Sequence, residues 1–351
     1  MKKNILPALL IVLCSMSFKG FAQQKKHKDF TGYLFAYFEG SGDKETQEQL
    51  RFAVSVNAVN WTALNNNQPI ISSKDISGTG GIRDPHILRG EKAHTYYMVA
   101  TDMFTVKNGW DSNPGIILLF SKDLINWQHS VIDLAKLYPK KFTGVKWVWA
   151  PQTIYDPKAK KYLVYFTVRY KDDAKLDFYA AYANKDFTGF EQEPQLMFSP
   201  KYGAIDGDII YKDGTYHFFS KGNTKDSTGK EIRNGIKQAT SKSLQGPWTE
   251  HDDYLDAYSA KHVNVEGSSV FKLNNSDEYI LMYDLYSSHR YEFQRSTDLV
   301  HFSAEPEKFT KNFNPRHGSV ISITSDEARA LKAKWEGVPD ELVKPELKES
   351  N

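Results

Sequence analysis

Three carboxylates and a histidine open short apolar segments of this 351-residue chain. Asp84 stands in RDPHI (83–87), Asp206 in IDGDI (205–209), Glu266 in VEGSS (265–269) and His317 in RHGSV (316–320). A fifth segment of the same kind, APQTI (150–154), has Pro151 at the corresponding place. Two carboxylates facing each other across a pocket suit hydrolysis of a glycosidic bond. One, ionised, takes a proton from water; the other, protonated, gives one to the leaving oxygen. A third carboxylate near the acid would raise its pKa by like-charge repulsion and keep it protonated. The structural alternative is that these acids bond neighbouring backbone or pair with Arg83 and Arg316. Burying several charges unpaired is costly, so either reading requires partners.

A repeat must bring these residues together. A phrase with a small residue at its start and an aromatic at its end recurs as SVNAVNW (55–61), SKDLINW (121–127), ANKDFTGF (183–190), SKSLQGPW (241–248) and STDLVHF (296–302). Four tyrosine-rich runs precede four of these phrases, at 96–100, 162–166, 216–219 and 279–283. Each is short and rich in β-branched or aromatic residues, as expected of a strand buried on both faces. A further strand precedes each run across a polar turn, such as Lys212-Asp213-Gly214. The unit is thus an up-and-down sheet of about four strands, repeated every 54–66 residues. Sheets of that size bury their faces only by stacking on one another.

The fifth opening, at 316–320, has no second strand after it, and the missing strands lie at 33–38 and 50–56. The expected fold is therefore all-β, a five-bladed β-propeller over 31–324 whose last blade is assembled from both chain ends. The strand openings then ring one mouth, with Asp84, Pro151, Asp206, Glu266 and His317 at equivalent positions. Thr324 with Glu327 forms a capping-box pattern for a short helix through Trp335, followed by a loose tail within 325–351.

The ordered motifs Arg83-Asp84-Pro85, Trp149-Ala150-Pro151, Ile205-Asp206-Gly207-Asp208, Glu266-Gly267-Ser268 and Arg316-His317-Gly318-Ser319 resemble glycoside hydrolase family 43. The resemblance runs from about 33 to 324 and implies an inverting five-bladed propeller acting on furanosides or xylosides. By that resemblance Asp84 is the general base, Asp206 the pKa modulator and Glu266 the general acid. Family members often have Asp-Pro at the third motif and Glu-Gly-Pro at the fourth; here Gly207 and Ser268 replace those prolines, which puts substrate in question more than mechanism. His317 stands where the family approaches the axis and would be the ligand of a possible structural calcium; no cofactor is otherwise required. Arg83, His86, Trp147, Trp149, Asp208 and Arg316 are the candidate sugar-binding residues, with Asp208 able to share the modulator role. The insertion at 102–115, containing Phe104 and Trp110, could close one side of the pocket, whereas Asp102 and Asp284 read as strand terminators.

Lys2, Lys3, the apolar stretch 5–16 and Gly20-Phe21-Ala22 read as a signal peptide cleaved after residue 22, with a flexible leader at 23–30. A lipid anchor on Cys14, the only cysteine, is the competing reading. The expected location is periplasmic or extracellular, held by a core and not by disulfides. A formal charge of +2 gives no case for nucleic acid, and no stretch is long and apolar enough for a membrane span. The expected partner is a carbohydrate. The best reading is an α-L-arabinofuranosidase; a β-xylosidase, a β-galactofuranosidase or galactanase, a phosphorylase and a non-catalytic sugar-binding propeller are the alternatives.

Overall fold

The computed structural model describes residues 29–344 apart from 174, 223–227 and 231–233. The signal-peptide segment, most of the leader and the end of the tail lie outside the described residues. Five small sheets form a five-bladed propeller. Blade I comprises Ile82–Arg89, Tyr96–Asp102, Gly115–Ser121 and Trp127–Asp133, from the axis outward. Blade II is Val145–Asp156, Lys161–Tyr170, Asp177–Tyr182 and Gln195–Phe198. Blade III is Ala204–Lys212, Thr215–Gly222, Ile236–Ser241 and Thr249–Tyr254. Blade IV is Glu266–Lys272, Tyr279–Leu285, Arg290–Ser296 and Glu307–Lys308.

Blade V closes the ring. Ser319–Thr324 is innermost, followed by Phe30–Tyr37, Arg51–Ser55 and Asn60–Ala63, with Thr310–Lys311 added in parallel at the edge. Antiparallel pairing of Phe35 with Val320 joins the two chain ends as the circular offset of the repeat requires. Phe30 is already in strand, so the ordered fold begins within the segment read as leader.

The repeated phrase is the turn between the third and fourth strands of each blade. In blade I, Ser121 Oγ accepts from the amides of Asp123 and Leu124, and Asp123 Oδ1 accepts from Ile125 and Asn126. The closing Trp127 donates its indole N–H to Leu124 O at 3.1 Å, and Trp61 does the same to Ala58 O. Side chains that satisfy the turn's own amides explain why Ser, Asp or Asn, and Trp recur at this spacing.

Alternation along each buried strand sends successive residues to different neighbours. Leu34 packs towards blade I, whereas Phe35 packs towards blade IV. Val164 faces blade I and Leu163 faces blade III. The result is five cores, one between each pair of blades, and each fully buried aromatic such as Phe166 or Phe218 contributes about 1.5–3 kcal/mol. The helix Ser325–Lys334 carries the capping box of Thr324 and Glu327 and packs Leu331 into the seam between blades V and I. No helix among the described residues is long and apolar enough to cross a membrane.

Candidate active site

Each of the first four inner strands opens with the same irregularity. In blade I, Arg83 pairs with Thr101 and His86 with Val99, leaving Asp84 and Pro85 opposite one residue. The same shift occurs at Trp149/Gln152, Ile205/Asp208 and Glu266/Ser269. One residue in each of these bulges is left-handed: Asp84 (φ 52°), Ala150 (φ 45°), Asp206 (φ 56°) and Gly267 (φ 64°). Such a conformation is strained for a residue with a Cβ, and a bulge bends the strand that carries it.

This register corrects the expected equivalence. Ala150 and Gly267, not Pro151 and Glu266, correspond to Asp84 and Asp206. Glu266 sits one residue earlier, at the place of Arg83, Trp149 and Ile205. Its longer side chain reaches the pocket from there. A Cβ on Gly267 would lie 2.9 Å from His317, so the bulge leaves room only for glycine beside that ring. Gly207 has a comparable reason: a Cβ there would meet the ring of Phe218 at 2.5 Å.

One pocket collects Asp84, Asp206 and Glu266 with Arg83, Arg316, His317 and Ile205. Phe38, Met103, Trp110 and Trp149 complete its wall. Thr101 Oγ1 donates to Asp84 Oδ2 at 2.8 Å, and His317 Nδ1 lies 3.5 Å from Asp84 Oδ1 and 3.8 Å from Asp206 Oδ1. Asp206 Oδ2 accepts from Gly267 N at 2.8 Å, and Asp206 O from Ser268 Oγ, tying the third motif to the fourth. Glu266 is held by two cations, Arg316 Nη2 at 2.7 Å and Lys221 Nζ at 3.1 Å. Arg316 also donates through Nε to buried Asp284.

Electrostatics follow from these contacts. Burial works against ionisation of Asp84, but His317, Arg83 and Thr101 outweigh it and hold the carboxyl below its usual value. Asp206 is raised to about 6 by burial, with the charges of Glu266 and Asp84 adding to the effect and His317 opposing it. Burial likewise opposes charge on Glu266, yet Lys221 and Arg316 bring its pKa below the usual range. This direction is opposite to that of a carboxyl kept protonated. Lys221 and Arg316 contact Glu266 directly, and of the trio only Asp206 is raised, so Asp206 is the first to take up a proton as pH falls.

His317 stands between two of these acids. Burial disfavours its charge, but Asp206, Asp84 and Glu266 raise it to about 9, which makes it an imidazolium between two carboxylates. Its Nδ1 makes no hydrogen bond, and calcium, where it binds, prefers oxygen ligands. Among the described residues no three His, Cys, Asp or Glu side chains converge as metal ligands.

The other candidates divide. Arg83 lines the pocket, its guanidinium 4.6 Å from the Phe38 ring and 4.9 Å from Trp110, with Nη1 on Glu48 at 2.5 Å. Trp149 forms a wall, fixed by its indole N–H on Asn113 Oδ1, and Trp110 meets it edge-on at 6.1 Å. The insertion thus does close one side. Trp147 stacks behind Trp149 at 4.1 Å and is faced by Arg169 at 4.4 Å, so it backs the wall instead of lining the pocket.

His86 and Asp208 lie deeper. His86 Nδ1 accepts from Thr153 N of blade II, Asp208 Oδ2 from Val270 N of blade IV, and Ser319 Oγ from Ile87 N of blade I. These side chains fasten successive blades, which takes His86 and Asp208 out of the sugar-binding set. The bulge shifts their register and aims them into the neighbouring blade. Burial and the charge of His317 lower His86 to about 3, consistent with a neutral acceptor ring.

Lys221, Thr101, Asp284 and Glu48 were not singled out as site residues by motif. Thr101, Lys221 and Asp284 stand next to last in the second strands of their blades, directly opposite Arg83, Ile205 and Glu266. Aligning the second strands as well as the first would have exposed them as polar ends on apolar runs. Asp102 is an anchor, its carboxylate accepting from Ser77, Gly78 and Thr79. Asp284 is more than a terminator: burial lifts it to about 7 against the pull of Arg316.

Comparison with known proteins adds four findings. A family profile related to glycoside hydrolase family 43, described as "Probable glycosyl hydrolase domain", matches residues 28–329. An α-L-arabinofuranosidase of Bifidobacterium longum subsp. longum is 27% identical over 289 residues, covering 72% of this chain. The chain spans only 27% of that relative's length. An endo-1,4-β-xylanase from Bacteroides thetaiotaomicron shares the fold with a TM-score of 0.57 at 16% identity, over 81% of this chain and 94% of that one. An endo-arabinase from the same organism does so with a TM-score of 0.52 at 15% identity, over 83% and 97%.

Proposed function

The chain belongs to the glycosyl hydrolase domains related to glycoside hydrolase family 43, and on that premise we propose that it is an inverting glycosidase removing terminal α-L-arabinofuranosyl residues from polysaccharide. One observation carries the reading. Asp84, Asp206 and Glu266 come from three different blades and meet in one pocket walled by Trp110, Trp149 and Phe38. A pocket closed on one side by an insertion admits the end of a chain more readily than its middle. The name of the Bifidobacterium relative supports arabinofuranose as the sugar.

In this reading Asp84 is the base. Thr101 fixes one of its oxygens, and His317 with Arg83 keeps it ionised, ready to take a proton from water. Glu266 is the acid on the opposite face. Asp206 holds the backbone amide that follows Glu266, which positions the acid, and its own elevated pKa provides a proton reservoir beside it. Sugar binding inserts the glycosidic oxygen against Glu266 and loosens its contact with the cations, so that the carboxyl can be protonated.

The test is a screen of nitrophenyl α-L-arabinofuranoside, β-D-xyloside and β-D-galactofuranoside, with proton NMR of the first-formed anomer. Preferred turnover of the arabinofuranoside with inverted configuration is expected. Retained configuration would sink direct water attack, and phosphate-dependent turnover would sink hydrolysis.

The acid's environment gives a pH prediction. Because in this reading Glu266 draws its proton from the one Asp206 holds, kcat/KM should fall as pH rises past about 6, the region where Asp206 titrates. Lys221→Met removes a cation that favours ionised Glu266, so the pKa of Glu266 rises and the descending limb moves to higher pH. A limb that stays in place or moves down contradicts the assignment of Glu266 as acid.

A further inference from the structure

A second cavity, of about 320 Å³, opens on the same end of the propeller as the carboxylates, further out over blade III. Its origin is a local distortion of the edge strand. Lys237 pairs with Tyr254 and Ala239 with Glu250, so Gln238 faces three residues where one would suffice. The edge strand bows away, and Glu250, Asp252 and Tyr254, alternate residues on it, line the space that results. Phe198, Pro200 and Tyr202, leading from blade II to blade III, form the facing wall, and Ala204 and Gly222 reach its inner end.

That inner end adjoins the acid. Ala204 pairs with Gly222, and the next pair inward is Ile205 with Lys221. Ile205 lines the catalytic pocket, and Lys221 contacts Glu266. In an inverting reaction the leaving group departs on the side of the acid, away from the base. The far side is walled by Trp110 and Trp149. The groove over blade III is thus on a side that this wall leaves open to the departing part of the substrate.

We propose that this groove is a subsite for the polysaccharide on the leaving-group side, binding a neutral sugar residue. The assignment rests on the hydrolase reading for its direction. Its chemistry fits: Tyr202, 40% exposed, and Tyr254 offer ring faces to the apolar side of a sugar ring. Glu250 and Asp252 are acceptors for hydroxyls, and Lys237, 5.6 Å over the Tyr254 ring, is a donor. Glu250 and Asp252 balance the ammonium groups of Lys237 and Lys201, the latter over the Tyr202 ring, so the groove carries no excess positive charge to hold uronic acids or phosphates, which favours neutral sugars.

The experiment compares KM for tetra- to hexasaccharides of arabinose, xylose or galactose with KM for the matching nitrophenyl glycoside. In Tyr254→Ala and Asp252→Ala the ratio of oligosaccharide to nitrophenyl KM should rise, about tenfold for the tyrosine. Tyr211→Ala, an exposed tyrosine at the opposite end of the same blade, is the control and should leave the ratio unchanged. An unchanged ratio in both groove variants overturns the subsite. Calorimetric binding of the same oligosaccharides separates the two claims. Binding weakened by both variants, in a protein that hydrolyses none of these substrates, upholds the groove and overturns the hydrolase reading. Hydrolysis with binding unaffected by either variant does the reverse.

Discussion

Asp84→Asn is expected to lower kcat by about a thousandfold on any substrate, because loss of the general base cannot be offset by a better leaving group. The asparagine keeps an oxygen for the Thr101 hydroxyl and tolerates the left-handed backbone at this position, so the blade mouth should hold its shape. The variant does remove one of the two carboxylates beside His317. With one anion gone, the pKa of His317 should fall from about 9, and its protonation becomes sensitive to pH near neutrality. Steady-state kinetics on a nitrophenyl glycoside, with melting temperature as the check on folding, measures this. A loss of less than tenfold in a folded variant would remove Asp84 from the base role.

Glu266→Gln is expected to discriminate between leaving groups. A polysaccharide or alkyl glycoside needs its leaving oxygen protonated and should lose about a thousandfold in kcat; nitrophenolate departs unaided and should lose about tenfold. A flat loss across leaving groups would indicate a positioning role instead. The substitution also leaves Lys221 without its ion-pair partner in a mostly buried place. Removing one member of a buried pair costs about 3–5 kcal/mol. The Tyr286 ring, 4.7 Å from the Lys221 ammonium, offsets part of this. Rates should accordingly be expressed per folded molecule, with the melting temperature lower than in the parent.

These predictions rest on residues of unequal legibility. The propeller could be read from the turn phrases, because a Ser-Asx-Trp turn satisfies its own amides and needs no distant partner to be recognised. The split blade followed from counting: an inner-strand opening at 316–320 without a second strand after it, and two strands at the start without an inner neighbour. Asp84, Asp206 and Glu266 stood out because charge at the mouth of an apolar strand is rare unless it is used.

The structure decided where each of those residues points and what surrounds it. A bulge with a left-handed residue shifts side-chain direction by one position, and no residue-type pattern distinguishes Gly267 from Glu266 as the counterpart of Asp84. His86 and Asp208 looked like sugar ligands from their motifs and turned out to clasp neighbouring blades. The protonation of Glu266 depends on Lys221, 45 residues before it, and Arg316, 50 residues after it. Sequence by itself determined the repeat, its closure and the presence of three acids at one mouth, since those depend on local alternation and short turns. Only the tertiary structure decided which acid is ionised, because a pKa is set within about 4 Å by charges that the chain brings together from separate blades.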